Sequence, residues 1–316
     1  MTDQAATPCR VCERPATNRV GTYALCENHF TLATRERPHV WRTQAVAIAA
    51  LIGLVVAATL LSAIAGAALS GGALYAIGIV VAIVPAAVWL TLFYREDRVE
   101  PEPRRLVVGV FVLGALLAAA VGVPLLDNVI SLGSWVGSSL PVQVLANILA
   151  VGLVPAALVY AAVRASVYTS AEFDEATDGI IYGTAAGLGY ATVLNLGLIL
   201  DAGGANLSFA SIHVVLTALT LGGVGGLVGY FMSGQKLSDR PAWWSAAGVG
   251  LGAVLMGLYA TIRTVVSAGT LSVAGILAGP WIGLVLAIAL TGTITVVLTR
   301  TVRREIARAI TMGVAE

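Results

Sequence analysis

The sequence predicts an all-α polytopic membrane protein with about eight transmembrane helices and a small N-terminal cytoplasmic module. Three observations carry this prediction: 58% of the 316 residues are hydrophobic, only 11% are charged, and the charges cluster between long apolar stretches. Soluble domains carry about 25% charged residues, so an ordinary soluble globule is excluded. The net charge of +1 shows no basic excess, and we expect no nucleic-acid partner.

Each apolar stretch is long enough to cross the hydrocarbon core of a bilayer, which requires about 20 residues of helix. The breaks between them are charged or rich in Gly, Pro and Ser. The predicted spans are 44–66, 73–94, 106–126, 142–164, 179–200, 209–232, 243–266 and 274–299.

Basic residues occupy alternate connections between these spans. Arg or Lys residues precede the first span, follow the second, fourth and sixth, and close the chain, whereas the loops around 67–72, 127–141, 201–208 and 267–273 have none. Because basic loops stay in the cytoplasm, this pattern predicts an even number of helices in the cell membrane, with both termini cytoplasmic.

Two pairs of metal-ligand residues lie ahead of the first span. Two residues separate Cys9 from Cys12 and two separate Cys26 from His29, with 13 residues between the pairs. Three thiolates and one imidazole form a closed tetrahedral set, which is typical of structural zinc, and the residues between them predict a short hairpin. The alternative is three free buried cysteines and an incidental histidine. The predicted organisation is a zinc-finger head at 1–34, a linker at 35–43, a membrane domain at 44–300 and a basic cytoplasmic tail at 301–316.

A densely charged segment, FYREDRVEPEPRRL at 93–106, joins the second and third spans. Taken alone, it predicts a solvated surface loop with mutual ion pairs. Its EDRVEPEP motif is followed in order by EFDEATDGIIYGTAAGLGYATVLN at 172–195 and IHVVLTALTLG at 212–222. Together, over roughly 75–235, these motifs resemble the PrsW family of intramembrane metalloproteases. The matching positions of the last two motifs include Asp178, Gly179, Tyr182, Gly183, Gly187, Leu188, Gly189, Tyr190, Ala191, Asn195 and His213.

The departures from that family concern its reactive groups. Family members carry a Glu-Glu pair in the fourth span, but the chain reads GLVPAALVYAAVR there and has no Asp or Glu between Asp127 and Glu172. Leu194 stands where the second motif has Glu. The resemblance therefore implies the family fold with a lost centre, in which His213 and Asn195 are vestigial candidates. A hydrolytic zinc ion needs about three protein ligands and an activated water, which these spans do not supply.

These observations favour a non-catalytic protein that binds or regulates a membrane or cytoplasmic protein partner. The alternative is an active metalloprotease that uses divergent groups around His213. A nucleophilic set of Ser208 or Ser211 with His213 and Asp201 has no supporting signature, and a small-solute transporter would need more polar groups near the midplane. We expect a neutral His213, bonded to Asn195 or to a helix carbonyl.

Two further expectations concern the helices themselves. Arg263 is expected to extend to the membrane interface, and the alternative is a salt bridge with Asp127 or Asp201. Glycines four residues apart predict close helix packing. These pairs are Gly183 and Gly187, Gly222 and Gly226, Gly225 and Gly229, Gly248 and Gly252, and Gly275 and Gly279.

Overall fold

The computed structural model describes residues 8–9, 12, 14–20, 23–34, 40–65, 71–96, 102–130, 139–201, 207–238, 240–268 and 280–313. The predicted polytopic helical fold is confirmed: within these ranges, seven helices are long and apolar enough to cross a membrane. The first predicted span is also helical, with an apolar stretch at Val46–Leu61. The helices are α1 Glu27–Thr34, α2 Val40–Ala65, α3 Gly71–Glu96, α4 Arg104–Leu117, α5 Leu140–Ala146, α6 Val154–Ser166, α7 Ala176–Asp201, α8 Leu207–Leu237, α9 Trp244–Ala268 and α10 Pro280–Gly313.

Two spans are built from α-helix and π-helix together. α4 continues through π-helical turns at Ala118–Gly122 and Leu125–Ile130, and α5 joins α6 through a π-helical segment at Asn147–Leu153. A π-helical turn changes the direction of the side chains that follow it. At Gly122 the ring of Tyr190 fills the place that a side chain would take, so this turn is part of the packing between α4 and α7.

α7 and α8 form the centre of the bundle and pack along a seam of glycines. A Cβ atom on Gly183 would lie 3.0 Å from both the carbonyl carbon of Gly225 and the Cα of Gly229. Carbon atoms normally approach to about 3.5–4.0 Å, so only glycine permits this spacing. The predicted packing role of these glycine pairs is confirmed, whereas the pair Gly275 and Gly279 lies outside the described residues.

The outer helices cover this centre and face lipid. α8 contacts α2, α3, α6, α7, α9 and α10, and its interior positions are almost all buried. Large apolar side chains on the outer helices remain exposed, for example Leu116, Val285 and Ile64. An apolar exterior on membrane-length helices is what a bilayer requires.

The head contains the predicted hairpin. β1 (Asn18–Val20) pairs antiparallel with β2 (Tyr23–Leu25), with Asn18 opposite Leu25, and β1 lies against α10. Most of the predicted linker at 35–43 is outside the described residues, and α2 begins at Val40. The predicted tail at 301–316 continues α10 as helix as far as Gly313.

Candidate functional site

The four predicted metal ligands of the head lie together. The ligand atoms of Cys9, Cys12, Cys26 and His29 are all within 4.8 Å of one another. The Sγ atoms of Cys12 and Cys26 are 3.7 Å apart, and Nδ1 of His29 lies 3.5 Å from Sγ of Cys9 and 3.2 Å from Sγ of Cys26. Zn–S bonds of about 2.3 Å in a tetrahedron place sulfur atoms about 3.8 Å apart. The donor set and its spacing therefore fit one tetrahedral ion.

Local structure fixes these ligands in place. Cys26 directly precedes α1, and His29 is in its first turn, where the amide of Phe30 donates to the carbonyl of Cys26 at 2.8 Å. The amide of Cys9 donates to the carbonyl of Arg14 at 2.6 Å. Cys9 and Cys26 are buried with Leu25. No disulfide joins these three cysteines, and their sulfur atoms with Nδ1 of His29 surround a common point that could hold a metal ion.

A second group of polar side chains lies where α4 and α7 begin. We call Glu102, Asp178 and Tyr182 the acidic cluster. Glu102 is 5% exposed and Asp178 is 4% exposed. The hydroxyl of Tyr182 donates to Oε2 of Glu102, and the carboxyl groups of Glu102 and Asp178 are hydrogen-bonded to each other. Two carboxyl groups can share a hydrogen bond only when one of them carries a proton.

Asp178 also caps its own helix. Its Oδ2 atom accepts hydrogen bonds from the amides of Asp174 at 2.8 Å and Glu175 at 2.5 Å. Amides at the start of a helix lack an acceptor one turn earlier, and the side chain of Asp178 supplies one. The acidic cluster therefore joins the start of α7 to the start of α4.

Lys236, near the end of α8, holds the segment that leads into α7. Its Nζ atom donates to the carbonyls of Ser170 at 3.0 Å and Phe173 at 2.6 Å. The buried ring of Phe173 stacks on Tyr182, with their centroids 6.2 Å apart. Hydrogen bonds between polar groups of the chain thus connect the starts of α4 and α7 with the end of α8 at one end of the bundle.

The acidic cluster corrects the interpretation of the charged segment at 93–106. At Glu102 the predicted solvated loop is wrong, because this side chain is buried and bonded to residues 76 and 80 positions later in the chain. Residues 97–101 of the segment lie outside the described residues. The sequence did contain a signal. Asp178 and Tyr182 are four residues apart, which places them on one helix face, and a buried acid on that face needs a partner.

His213 and Asn195, the vestigial candidates, are near each other but are not bonded. The Nδ2 atom of Asn195 donates to the carbonyl of Val214 at 3.2 Å, and its buried Oδ1 atom has no partner. His213 is half-buried with its ring stacked on Phe209, at 6.1 Å between centroids. The expected bond between His213 and Asn195 is therefore wrong: the amide satisfies a backbone carbonyl one residue further along α8.

The other candidates near His213 do not form a catalytic group. Asp201 is exposed at the end of α7 and Ser211 is fully buried, while the side chain of Ser208 lies outside the described residues. In the described part of the chain, the head is the sole place where three or more Cys, His, Asp or Glu ligand atoms come close enough to share an ion. The inward residues of the fourth span, Ala156 and Val159, are apolar and buried.

Arg263 also departs from one expectation. The predicted alternative of a salt bridge to Asp127 or Asp201 is wrong, because both acids are exposed and neither forms an ion pair within the described ranges. The guanidinium group instead lies beside the Tyr259 hydroxyl and near His213. Arg263 is therefore half-buried among neutral groups.

Comparisons with known proteins agree with the motifs. Residues 102–292 match the family described as PrsW family intramembrane metalloprotease. Protease PrsW of Bacillus subtilis (strain 168) is 28% identical over 187 residues, which cover 58% of this chain and 82% of that protease. Protease PrsW of Geobacillus kaustophilus (strain HTA426) is 29% identical over 158 residues, covering 50% and 66%. No solved structure matches the chain at a comparable significance. The head lies outside the region that matches the family.

Proposed function

The chain belongs to the PrsW family of intramembrane metalloproteases, and from this premise we propose that it has kept the family fold but not the proteolytic centre. Its role is to bind or regulate a membrane-protein or cytoplasmic partner. It is a multi-pass protein of the cell membrane with both termini in the cytoplasm, where the head holds one structural zinc ion and supplies the cytoplasmic contact.

The isolation of His213 carries this proposal. A hydrolytic zinc ion needs about three protein ligands, a bound water and a carboxylate base. His213 has no Cys, Asp, Glu or second His close enough to complete such a set among the residues that the structure describes. Leu194 occupies the place of the second-motif Glu. One imidazole does not retain a catalytic ion.

The acidic cluster supports retention of the fold without supplying a centre. Its carboxyl groups bond to each other, to Tyr182 and to the backbone, so they are used in joining helices. The family motifs around Glu102 and Asp178 thus have a structural use that does not depend on proteolysis.

Zinc stoichiometry separates this proposal from an active metalloprotease. We expect one zinc ion per purified chain, none in Cys9→Ser and one in His213→Ala. A second ion in the membrane domain would give two ions in the unchanged protein, and one each in Cys9→Ser and His213→Ala. That result contradicts the proposal.

A cleavage assay tests the reaction directly. The purified chain is reconstituted with candidate single-span membrane proteins, with His213→Ala as the matched variant. We expect the same low background of fragments from both proteins. Fragments that form with the unchanged chain and disappear with His213→Ala would establish the alternative, an active protease built around His213.

A further inference from the structure

One positive charge lies at the end of the bundle opposite the basic loops, without an acidic partner. Arg263 is the sole Arg or Lys between Arg240 and Arg300, and the sequence offers two acids at that end, Asp127 and Asp201. Both are exposed, and neither pairs with Arg263 in the ranges that the structure covers. A charge within a membrane helix is costly unless a counter-charge or water meets it. Among the described residues no acid meets this charge, so its counter-charge or its water comes from outside the chain.

Arg263 is held in a defined position. A Cβ atom added to Gly283 would lie 3.2 Å from the Cδ atom of Arg263. Glycine at this position therefore leaves room for the arginine side chain to pack against α10. The buried hydroxyl of Tyr259 lies beside the guanidinium group of Arg263 and donates a hydrogen bond to the carbonyl of Gly283 at 3.3 Å. The guanidinium group is thus fixed between α9 and α10 and is not a freely moving surface group.

Unused donors remain at this position. A guanidinium group has five N–H donors and no acceptor, of which Tyr259 can take one. His213, on α8, is within electrostatic range and has no hydrogen-bond partner in the described part of the chain. A group that offers several donors and a fixed positive charge selects an anion with more than one oxygen, above all a phosphate.

The depth of Arg263 in the bundle matches a lipid headgroup. The span ends at Val266, three residues later, which is about 4.5 Å along a helix that rises about 1.5 Å per residue. A headgroup phosphate at the end of the span therefore lies within about one helical turn of Arg263. We propose that Arg263, positioned by Tyr259 and flanked by His213, binds the phosphate of a phospholipid headgroup at this end of the bundle. This site does not depend on whether the chain cleaves peptides.

Native mass spectrometry of the full chain in uncharged detergent tests the proposal. The delipidated protein is titrated with phosphatidylglycerol, with diacylglycerol, which lacks the phosphate, and with inorganic phosphate. We expect phosphatidylglycerol to bind, and Arg263→Gln to weaken that binding by at least about tenfold, since a charge-assisted bidentate contact is lost. Arg263→Lys should retain part of the affinity, and Tyr259→Phe should weaken it less than Arg263→Gln.

Thr264→Val is the matched control, because it changes the neighbouring residue on α9 and leaves every donor of the site in place. We expect unchanged binding in this variant. Circular dichroism establishes that the Arg263 variants are folded. Equal phosphatidylglycerol binding by Arg263→Gln and the unchanged chain would overturn the proposal, as would equal binding of diacylglycerol. Tight binding of inorganic phosphate with no preference for the lipid would overturn the headgroup as the source.

Discussion

Two tyrosines on α7 allow the energetic role of the acidic cluster to be measured. Tyr182 and Tyr190 are both fully buried, but the Tyr182 hydroxyl donates to Glu102, whereas the Tyr190 hydroxyl has no partner. Removing one partner of a buried hydrogen bond, so that the other group is left unsatisfied, costs about 1–3 kcal/mol. We therefore expect Tyr182→Phe to lower the free energy of unfolding by about 2 kcal/mol.

Tyr190→Phe is the control with the opposite expectation. A buried hydroxyl without a partner costs about 1–3 kcal/mol, so its removal should leave the stability unchanged or raise it by up to about 1 kcal/mol once the small void is counted. Unfolding in detergent by SDS titration, followed by circular dichroism, gives both values. Equal shifts in the two variants, or a larger loss for Tyr190→Phe, would refute the assignment of the acidic cluster as the polar tie between α4 and α7.

Three more predictions follow from the same contacts. Gly183→Ala should be about 1–3 kcal/mol less stable than Gly197→Ala in SDS titration, since overpacking has that cost and Gly197 has open space around its Cβ position. Equal stabilities would contradict the glycine seam. Lys236→Met should speed proteolytic cleavage near 170–175, because it removes the bonds to the carbonyls of Ser170 and Phe173; an unchanged cleavage pattern would mean that other contacts hold this segment. A strong chelator should unfold the head and leave the membrane helices intact, as seen by protease protection and circular dichroism, because metal binding supplies about 10–16 kcal/mol to such small folds; a head that stays folded without metal would contradict a structural zinc.

The sequence was most informative where the relevant pattern is local. The paired spacing of Cys9, Cys12, Cys26 and His29 predicted the ligand set, and the structure brings all four together. The residue types between the two pairs predicted the hairpin, since strand and turn signals are also local, and β1 pairs with β2 there. The glycines of α7 and α8 likewise predicted close packing, because residues four apart share a helix face.

Interpretation from sequence failed where a contact joins distant helices. Glu102 was assigned to a solvated loop because seven charged neighbours surround it in 95–105, yet its side chain turns inward to Tyr182. Asn195 was expected to meet His213, but a small difference in helix rotation brings it to the carbonyl of Val214. The charge of Arg263 suggested an acid from the chain, and the fold places Tyr259 there instead.

The sequence by itself determined that this chain crosses the membrane many times, that Cys9, Cys12, Cys26 and His29 have the spacing of a metal-ligand set, and that no Asp or Glu lies between Asp127 and Glu172. These properties depend on composition and on spacing over a few residues, and a bilayer enforces them because every unpaired polar group in it is costly. Only the tertiary structure decided which buried polar groups meet. Which polar groups meet depends on the rotation and depth of each helix relative to its neighbours. The apolar pattern of the sequence does not determine these two quantities, and the close packing of the helices does.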